Sequence, residues 1–304
     1  MGALATTTDL SVSVADAAAA FRGTSEWRKR LRRALRDPLT VTGFGIVAAW
    51  LLLALLAPVV AGYGPNEPDM SVRLEPPVAA HLFGTDQYGR DILTRVIFGA
   101  RITMLIGVIS VGISLVVGVP LGAIAGYVGG RTEQTIMRLM DMLLAFPALV
   151  LAMAIAVSMG RGLVSAMVAV GIVGIPDFAR LMHGQAVSLR EKDFVEAARA
   201  LGAGNRRIIL RHIVPNAMSP IVVRATLGLG FAVLTAATLS FLGLGVKPPD
   251  AEWGSMVSEG REFIVSGEWW LTTFPGLAIM SAVLGFNLMG DGLRDLLDPR
   301  FHNS

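Results

Sequence analysis

The sequence predicts an all-α, polytopic membrane protein with six transmembrane helices, and three observations carry that prediction. First, charge is scarce: 16% of the 304 residues are charged and 53% are hydrophobic, whereas a soluble domain carries roughly a quarter charged residues. Second, six stretches approach the ~20 apolar residues needed to cross a ~30 Å hydrocarbon core. They lie near 39–61, 102–127, 139–159, 162–182, 217–244 and 270–289. Third, basic residues are unevenly shared among the connecting segments. With the N-terminus placed in the cytoplasm, the inside segments 1–38, 128–138, 180–216 and 291–304 hold 18 of the 26 arginines and lysines. The outside loops 62–100, 160–161 and 245–269 hold 6, while acidic residues divide almost evenly, 11 inside and 10 outside. Orientation follows positive charge alone, so both termini are expected in the cytoplasm, with the chain multi-pass in its membrane.

Each element follows in order. Residues 1–38 read as a cytoplasmic tail, without useful periodicity over 1–24 and basic over Trp27-Arg28-Lys29-Arg30-Leu31-Arg32-Arg33. Disorder is expected in the first part. The apolar run at 39–61 is longer than the 7–15 residues of a signal-peptide core, so it reads as an uncleaved first span. The outside loop 62–100 begins with proline turns and ends in Asp91-Ile92-Leu93-Thr94-Arg95-Val96-Ile97-Phe98. The apolar spacing there predicts a short helix lying on the membrane surface, capped by Asp86 or Asp91. Residues 101–290 form the core of five further spans, and 291–304 a second cytoplasmic tail. Trp269 and Trp270 stand where an interfacial aromatic anchor belongs.

Glycine is frequent in the second span (Gly107, Gly112, Gly118, Gly122, Gly126) and in the fifth (Gly228, Gly230). Small residues let helix backbones approach closely inside a membrane. Pro120, Pro147, Pro176 and Pro275 are expected to interrupt four spans, as kinks of a packed bundle or as joints of a moving passage.

The longest cytoplasmic loop, 180–216, holds the most informative segment. Asp193 and Glu196 have capping-box spacing, alanines and Leu201 propagate a helix, and Gly204 is expected to end it in a left-handed turn. The helix over about 193–204 is too polar to span. Phe194, Val195, Ala198 and Leu201 make its apolar side, and Gly202 leaves room for another backbone. The residues alone leave two readings equally open: a surface helix, or a helix that docks in a groove of a cytoplasmic protein.

A resemblance separates them. Glu196-Ala197-Ala198, three residues, Gly202, and then Val214-Pro215 resembles the cytoplasmic loop motif of the permeases of ATP-binding cassette (ABC) importers. His212 departs from the general pattern, although Arg211-His212-Ile213-Val214-Pro215-Asn216-Ala217 looks like the version in peptide importers. Three further segments are similar to the second permease subunit of dipeptide, oligopeptide and nickel importers. They are Gly84-Thr85-Asp86-Gln87-Tyr88-Gly89-Arg90-Asp91 with Gly99-Ala100-Arg101, Leu239-Ser240-Phe241-Leu242-Gly243-Leu244-Gly245 with Trp253-Gly254, and Gly290-Asp291-Gly292 through Arg300. The resemblance covers residue 25 to the end. It implies a type I ABC importer permease fold, and a coupling helix at Phe194, Glu196, Ala197, Ala198, Leu201, Gly202 and Ala203 on which an ATPase seats. The partners it implies are a second homologous permease subunit, two ATPase subunits, an extracytoplasmic substrate-binding protein and the lipid bilayer, with no nucleic acid. The substrates it implies are dipeptides or oligopeptides, with nickel or another small solute as the alternative.

No cofactor or metal is expected in this chain, and ATP and magnesium belong to the partner ATPases. A Walker A loop needs a Gly-Lys pair, but Lys29, Lys192 and Lys247 follow Arg, Glu and Val. The chain has no cysteine, which removes disulfides and thiolate chemistry. No catalytic residue is expected. Charges near membrane depth are functional candidates by default, with Arg224 and Asp141 as pathway candidates. Helical spacing pairs Asp141 with Arg138, and Asp177 with Arg180. An ion-coupled secondary transporter would show internal repeats or midplane acids, and the sequence shows no clear repeat.

Overall fold

The computed structural model describes residues 37–297; the expectations for the tails at 1–36 and 298–304 lie outside the described residues. Among the described residues ten α-helices succeed one another, and the extended backbone contributes only an isolated bridge between Thr85 and Asp91. Helix α1 spans Pro38–Val60. Asp37 starts it by accepting from the Thr40 amide at 2.8 Å, with proline at the first helical position, where its missing N–H costs nothing.

Helix α2 runs unbroken over Ile92–Val128, 37 residues, or about 55 Å at 1.5 Å per residue. Asp91 caps it by accepting from the Thr94 amide at 2.7 Å. The separate surface helix expected at 91–98 is therefore the first two turns of α2. It is not free to lie flat because Ile92, Val96 and Ile97 are buried in protein. The Trp253 indole also donates to the Val96 carbonyl at 2.8 Å.

Helices α3 (Gly130–Leu144) and α4 (Ala148–Met159) meet at 91°. Pro147 lies in the break, so the third expected span is not one straight helix. Its apolar half, α4, has 12 residues and reaches only about 18 Å. Among the described residues, five helices are long and apolar enough to cross a membrane, or six with the bent pair taken as one span. Helix α5 covers Leu163–Arg190 and α10 covers Trp270–Leu297, each longer than its apolar run. Pro120, Pro176 and Pro275 sit inside continuous helices; of the four prolines singled out, only Pro147 breaks its span. Between α5 and α10 come the short α6 (Asp193–Ala200) and α7 (Asn205–Ile208), the spanning α8 (Met218–Phe241) and the short α9 (Trp253–Gly260).

The tightest seam joins α2 to α5. Ser110, Ser114, Gly118, Gly122 and Gly126 recur at every fourth position of α2, one face of a helix. Ser110 and Ser114 donate to the carbonyls of Met167 and Gly171 at 3.0 and 2.7 Å. The three glycines continue the row against the carbonyls of Ile175, Ala179 and His183, the next positions at the same spacing. A Cβ at Gly118 or Gly126 would lie 2.7 or 2.6 Å from those oxygens, with no space to move. Gly112, on another face, has nothing within 4 Å. A second close seam packs α1 on α10 through Gly43 and Gly285.

Replacing Gly122 with alanine presses a methyl group onto the Ala179 carbonyl. We expect a loss of about 1–3 kcal/mol, the usual cost of overpacking, read as a lower thermal midpoint in detergent, while Gly112→Ala stays near wild type.

Candidate functional site

Helix α6 is seated by one face and presents the other. Val195 is fully buried, and Ala198 and Ala203 pack against the main core. Arg199 lies over the Tyr127 ring, 5.8 Å from its centroid, within the range of a cation–π contact. Because Tyr127 belongs to the last turn of α2, the short helix rests directly on the end of the α2–α5 seam. The outer face carries Phe194, Glu196, Ala197 and Leu201, and Leu201 is 89% exposed. The single apolar side expected from sequence is thus divided. Val195 and Ala198 point inward, Leu201 points away from this chain, and Phe194 leaves part of its ring exposed beside His212, 6.5 Å between ring centroids.

The end of α6 differs from the expectation too. The Gly202 amide bonds the Arg199 carbonyl and the Ala203 amide bonds the Ala198 carbonyl, both at 3.0 Å. That pair of bonds is the Schellman closure, which needs a left-handed residue. Gly202 supplies it with φ of 80°, while Gly204 has φ of −70°. At the other end, no side chain caps the helix, and Asp193 is its first residue rather than its cap. Sequence reasoning also missed that the chain coils again over Asn205–Ile213, ending in a π-helical turn before Pro215.

The charged residues at membrane depth pair across helices rather than along them. Asp141 of α3 accepts from Arg180 of α5, and Asp177 of α5 accepts from Arg224 of α8. His183 of α5 lies 2.7 Å from Glu133 of α3. The within-helix pairs expected from spacing, Arg138 with Asp141 and Asp177 with Arg180, do not form. Tertiary packing brings closer partners, because α5 lies between α3 and α8.

At the opposite end of the bundle the charges are buried. The Asp86 carboxylate accepts from the Arg90 amide at 3.0 Å and the Arg90 Nε at 2.6 Å, and Arg90 reaches Glu259 at 3.0 Å. Arg95 donates to the carbonyls of Pro65 and Pro249 at 2.8 and 3.3 Å. These bonds tie the 62–91 segment, the start of α2 and helix α9 into one body. Trp270 belongs to it: buried, it donates to the Thr85 carbonyl at 3.1 Å, so only Trp269 remains exposed as an anchor. Helix α9 was not foreseen. Glu252, fully buried, caps it by accepting from the Gly254 and Ser255 amides at 2.9 Å. Burial pushes this carboxyl above its ordinary value, and the two amides oppose the shift.

Together, the bundle of apolar helices long enough to span and the short helix seated at one of its ends describe a polytopic membrane protein. Residues 118–303 match the family described as binding-protein-dependent transport system inner membrane component, and residues 25–77 match the N-terminal TM domain of oligopeptide transport permease C. The chain belongs to the binding-protein-dependent transport system inner membrane component family. It is a multi-pass protein of the cytoplasmic membrane.

The dipeptide transport system permease protein DppC of Alkalihalophilus pseudofirmus is 45% identical over 92% of both chains. The probable D,D-dipeptide transport system permease protein DdpC of Escherichia coli is 46% identical over 87% of this chain and 88% of its own. The di/tripeptide transport system permease protein DppC of Pseudomonas aeruginosa is 46% identical over 83% and 84%. Among solved structures, a chain of the MetNI methionine ABC transporter in an inward-facing form shares the fold. Its TM-score is 0.57 at 18% identity, covering 68% of this chain and 98% of its own.

An acid whose pKa is raised on folding favours the native state at low pH and loses that advantage as pH rises through the folded value. Glu252→Gln cannot ionise. Its thermal midpoint is therefore expected to improve relative to wild type as pH is raised from below 4.5, in parallel melts of the detergent-solubilised protein.

Proposed function

We propose that this chain forms one half of the translocation pathway of an ATP-driven importer of dipeptides or oligopeptides, and that α6 is its coupling helix. The observation that carries the reading is the exposed apolar pair Phe194 and Leu201 on a helix whose other face is fixed in the bundle. A short helix held this way offers i and i+7 anchors to a groove. Its seat on Tyr127 transmits any displacement to α2. The partners are a second, homologous permease subunit, two cytoplasmic ATPases that hold ATP and magnesium, and an extracytoplasmic substrate-binding protein. The names of the relatives support peptides as substrates.

In this arrangement both termini and α6 face the cytoplasm, and the body built on Arg90 and Arg95 faces outward. Closure of the ATPases draws the coupling helices together and opens the cavity to the outside, and hydrolysis lets it return. Hydrolysis takes place on the partners, so this chain supplies binding, passage and motion. Glu196 and Ala197 complete the docking surface of α6, and Ala203, just beyond it, closes its end by bonding the Ala198 carbonyl.

ATP-dependent uptake by the reconstituted four-subunit complex, with labelled di- and oligopeptides and nickel in parallel, tests the substrate. Peptide accumulation that needs ATP supports the reading, and nickel accumulation alone replaces the solute. Gly202→Leu tests the docking helix. It forces a branched side chain into a left-handed position, at about 1–2 kcal/mol locally, and crowds the groove. Membrane insertion is expected to persist while uptake and ATPase co-purification fall. Normal uptake by this variant would remove α6 from the docking role.

A further inference from the structure

Two ion pairs and a histidine–carboxylate contact on α5 form a ladder in a place where charge is costly. Asp177 stands 14 residues after Leu163 and 13 before Arg190, about 20 Å from either end of its helix. Arg224 stands 13 residues after Arg211, the last basic residue of the preceding coil, at a comparable depth. Within the apolar runs at 162–182 and 217–244 the pair lies five and seven residues from the inner ends, inside the span depth, yet the side chains are 35% and 43% exposed. One turn on, Arg180 and Asp141 are 55% and 56% exposed, and His183 with Glu133 completes the row. Half-exposed charges at this depth face water or protein rather than lipid. The opposite face of α5 is already occupied by the glycine seam.

The Asp177–Arg224 and Asp141–Arg180 rungs each offer one anion and one cation to whatever passes. Half-exposed pairs are held weakly, so a ligand carboxylate can take the guanidinium while the ligand ammonium takes the carboxylate. Successive rungs on α5 are three residues apart, about 4.5 Å along the axis. An extended dipeptide spans about 7 Å. Its two charged termini can therefore lie on one rung or bridge two, whereas a neutral solute gains nothing from the row.

We propose that Asp177–Arg224 and Asp141–Arg180 form a water-lined binding step for zwitterionic peptides, in which the free amino and carboxylate termini exchange partners with the two ion pairs. This inference rests on the peptide-import reading and names the residues that would meet the substrate.

The test uses the assembled transporter in proteoliposomes, with assembly checked by co-purification. Arg224→Gln and Asp177→Asn are expected to lower ATP-dependent dipeptide uptake by about tenfold to a hundredfold, the equivalent of one charge-assisted hydrogen bond. ATP hydrolysis stimulated by the loaded binding protein should persist. The charge-swapped double variant Asp177→Arg with Arg224→Asp rebuilds the tie between α5 and α8 but reverses the order of charges. Its uptake is expected to stay low, and recovery to wild type would overturn the proposal in favour of a structural tie.

The chain has no cysteine, so Asp177→Cys introduces its single thiol. A charged, water-soluble thiosulfonate is expected to label it, and dipeptide during turnover to slow the labelling. An unreactive thiol would place this face against lipid or the partner permease and overturn the proposal independently of transport. If wild type imports no dipeptide, the peptide reading fails. If wild type imports dipeptides and the ion-pair variants do so equally well, only the binding step fails.

Discussion

The arrangement of this bundle depends on one contact repeated five times: a small residue of α2 set against a carbonyl of α5. In hydrocarbon there is no hydrophobic drive to bring helices together, so association rests on packing and on hydrogen bonds. Ser110 and Ser114 supply hydrogen bonds and Gly118, Gly122 and Gly126 supply proximity. The row extends over 16 residues of each helix, about 24 Å, and fixes the two as a parallel pair. This places Tyr127 under α6 and turns Asp177 and Arg180 to the opposite side, toward α8 and α3. Helix α6 and the row of charged contacts on α5 are both positioned by the same seam.

The two charged regions obey different physics. Around Asp86, Arg90, Arg95 and Glu259 the groups are buried, and their hydrogen bonds offset the desolvation that burial imposes. Such a network fixes one geometry, because loss of a partner strands a charge. Along α5 the pairs are half-exposed, so opening one costs little. A permease needs both kinds: a rigid body that joins its connecting loops, and a face whose contacts can be remade.

Much of this was legible in the sequence because the membrane imposes a simple code. Apolar run lengths located α1 and α8 within a few residues, whereas α2 begins ten residues before its run and α5 and α10 end eight residues after theirs; the glycines of α2 stood out before any partner was known. What escaped was whatever depended on a second element. Composition treats 139–159 as one span, since the 91° turn at Pro147 does not change its hydropathy. The spacing of Asp141 and Asp177 suggested partners along the helix, whereas their real partners are 39 and 47 residues away. Gly204 and Gly202 look equally able to end a helix; only the two closing hydrogen bonds choose between them. Helix α9 is eight residues long in a loop rich in acids, and its stability comes from a buried cap and a tryptophan slotted against α2.

The length of α2 has a mechanical consequence. Its 37 residues make a rod of about 55 Å, well beyond the ~30 Å hydrocarbon core. Each end is pinned by one aromatic contact, the Trp253 indole on the Val96 carbonyl and the Tyr127 ring beneath Arg199. A tilt of about 10° around the rod's midpoint would move both ends by about 5 Å in opposite directions. A displacement at either end is carried along one continuous helix, and the serine and glycine row that holds α2 to α5 makes the two move as one body.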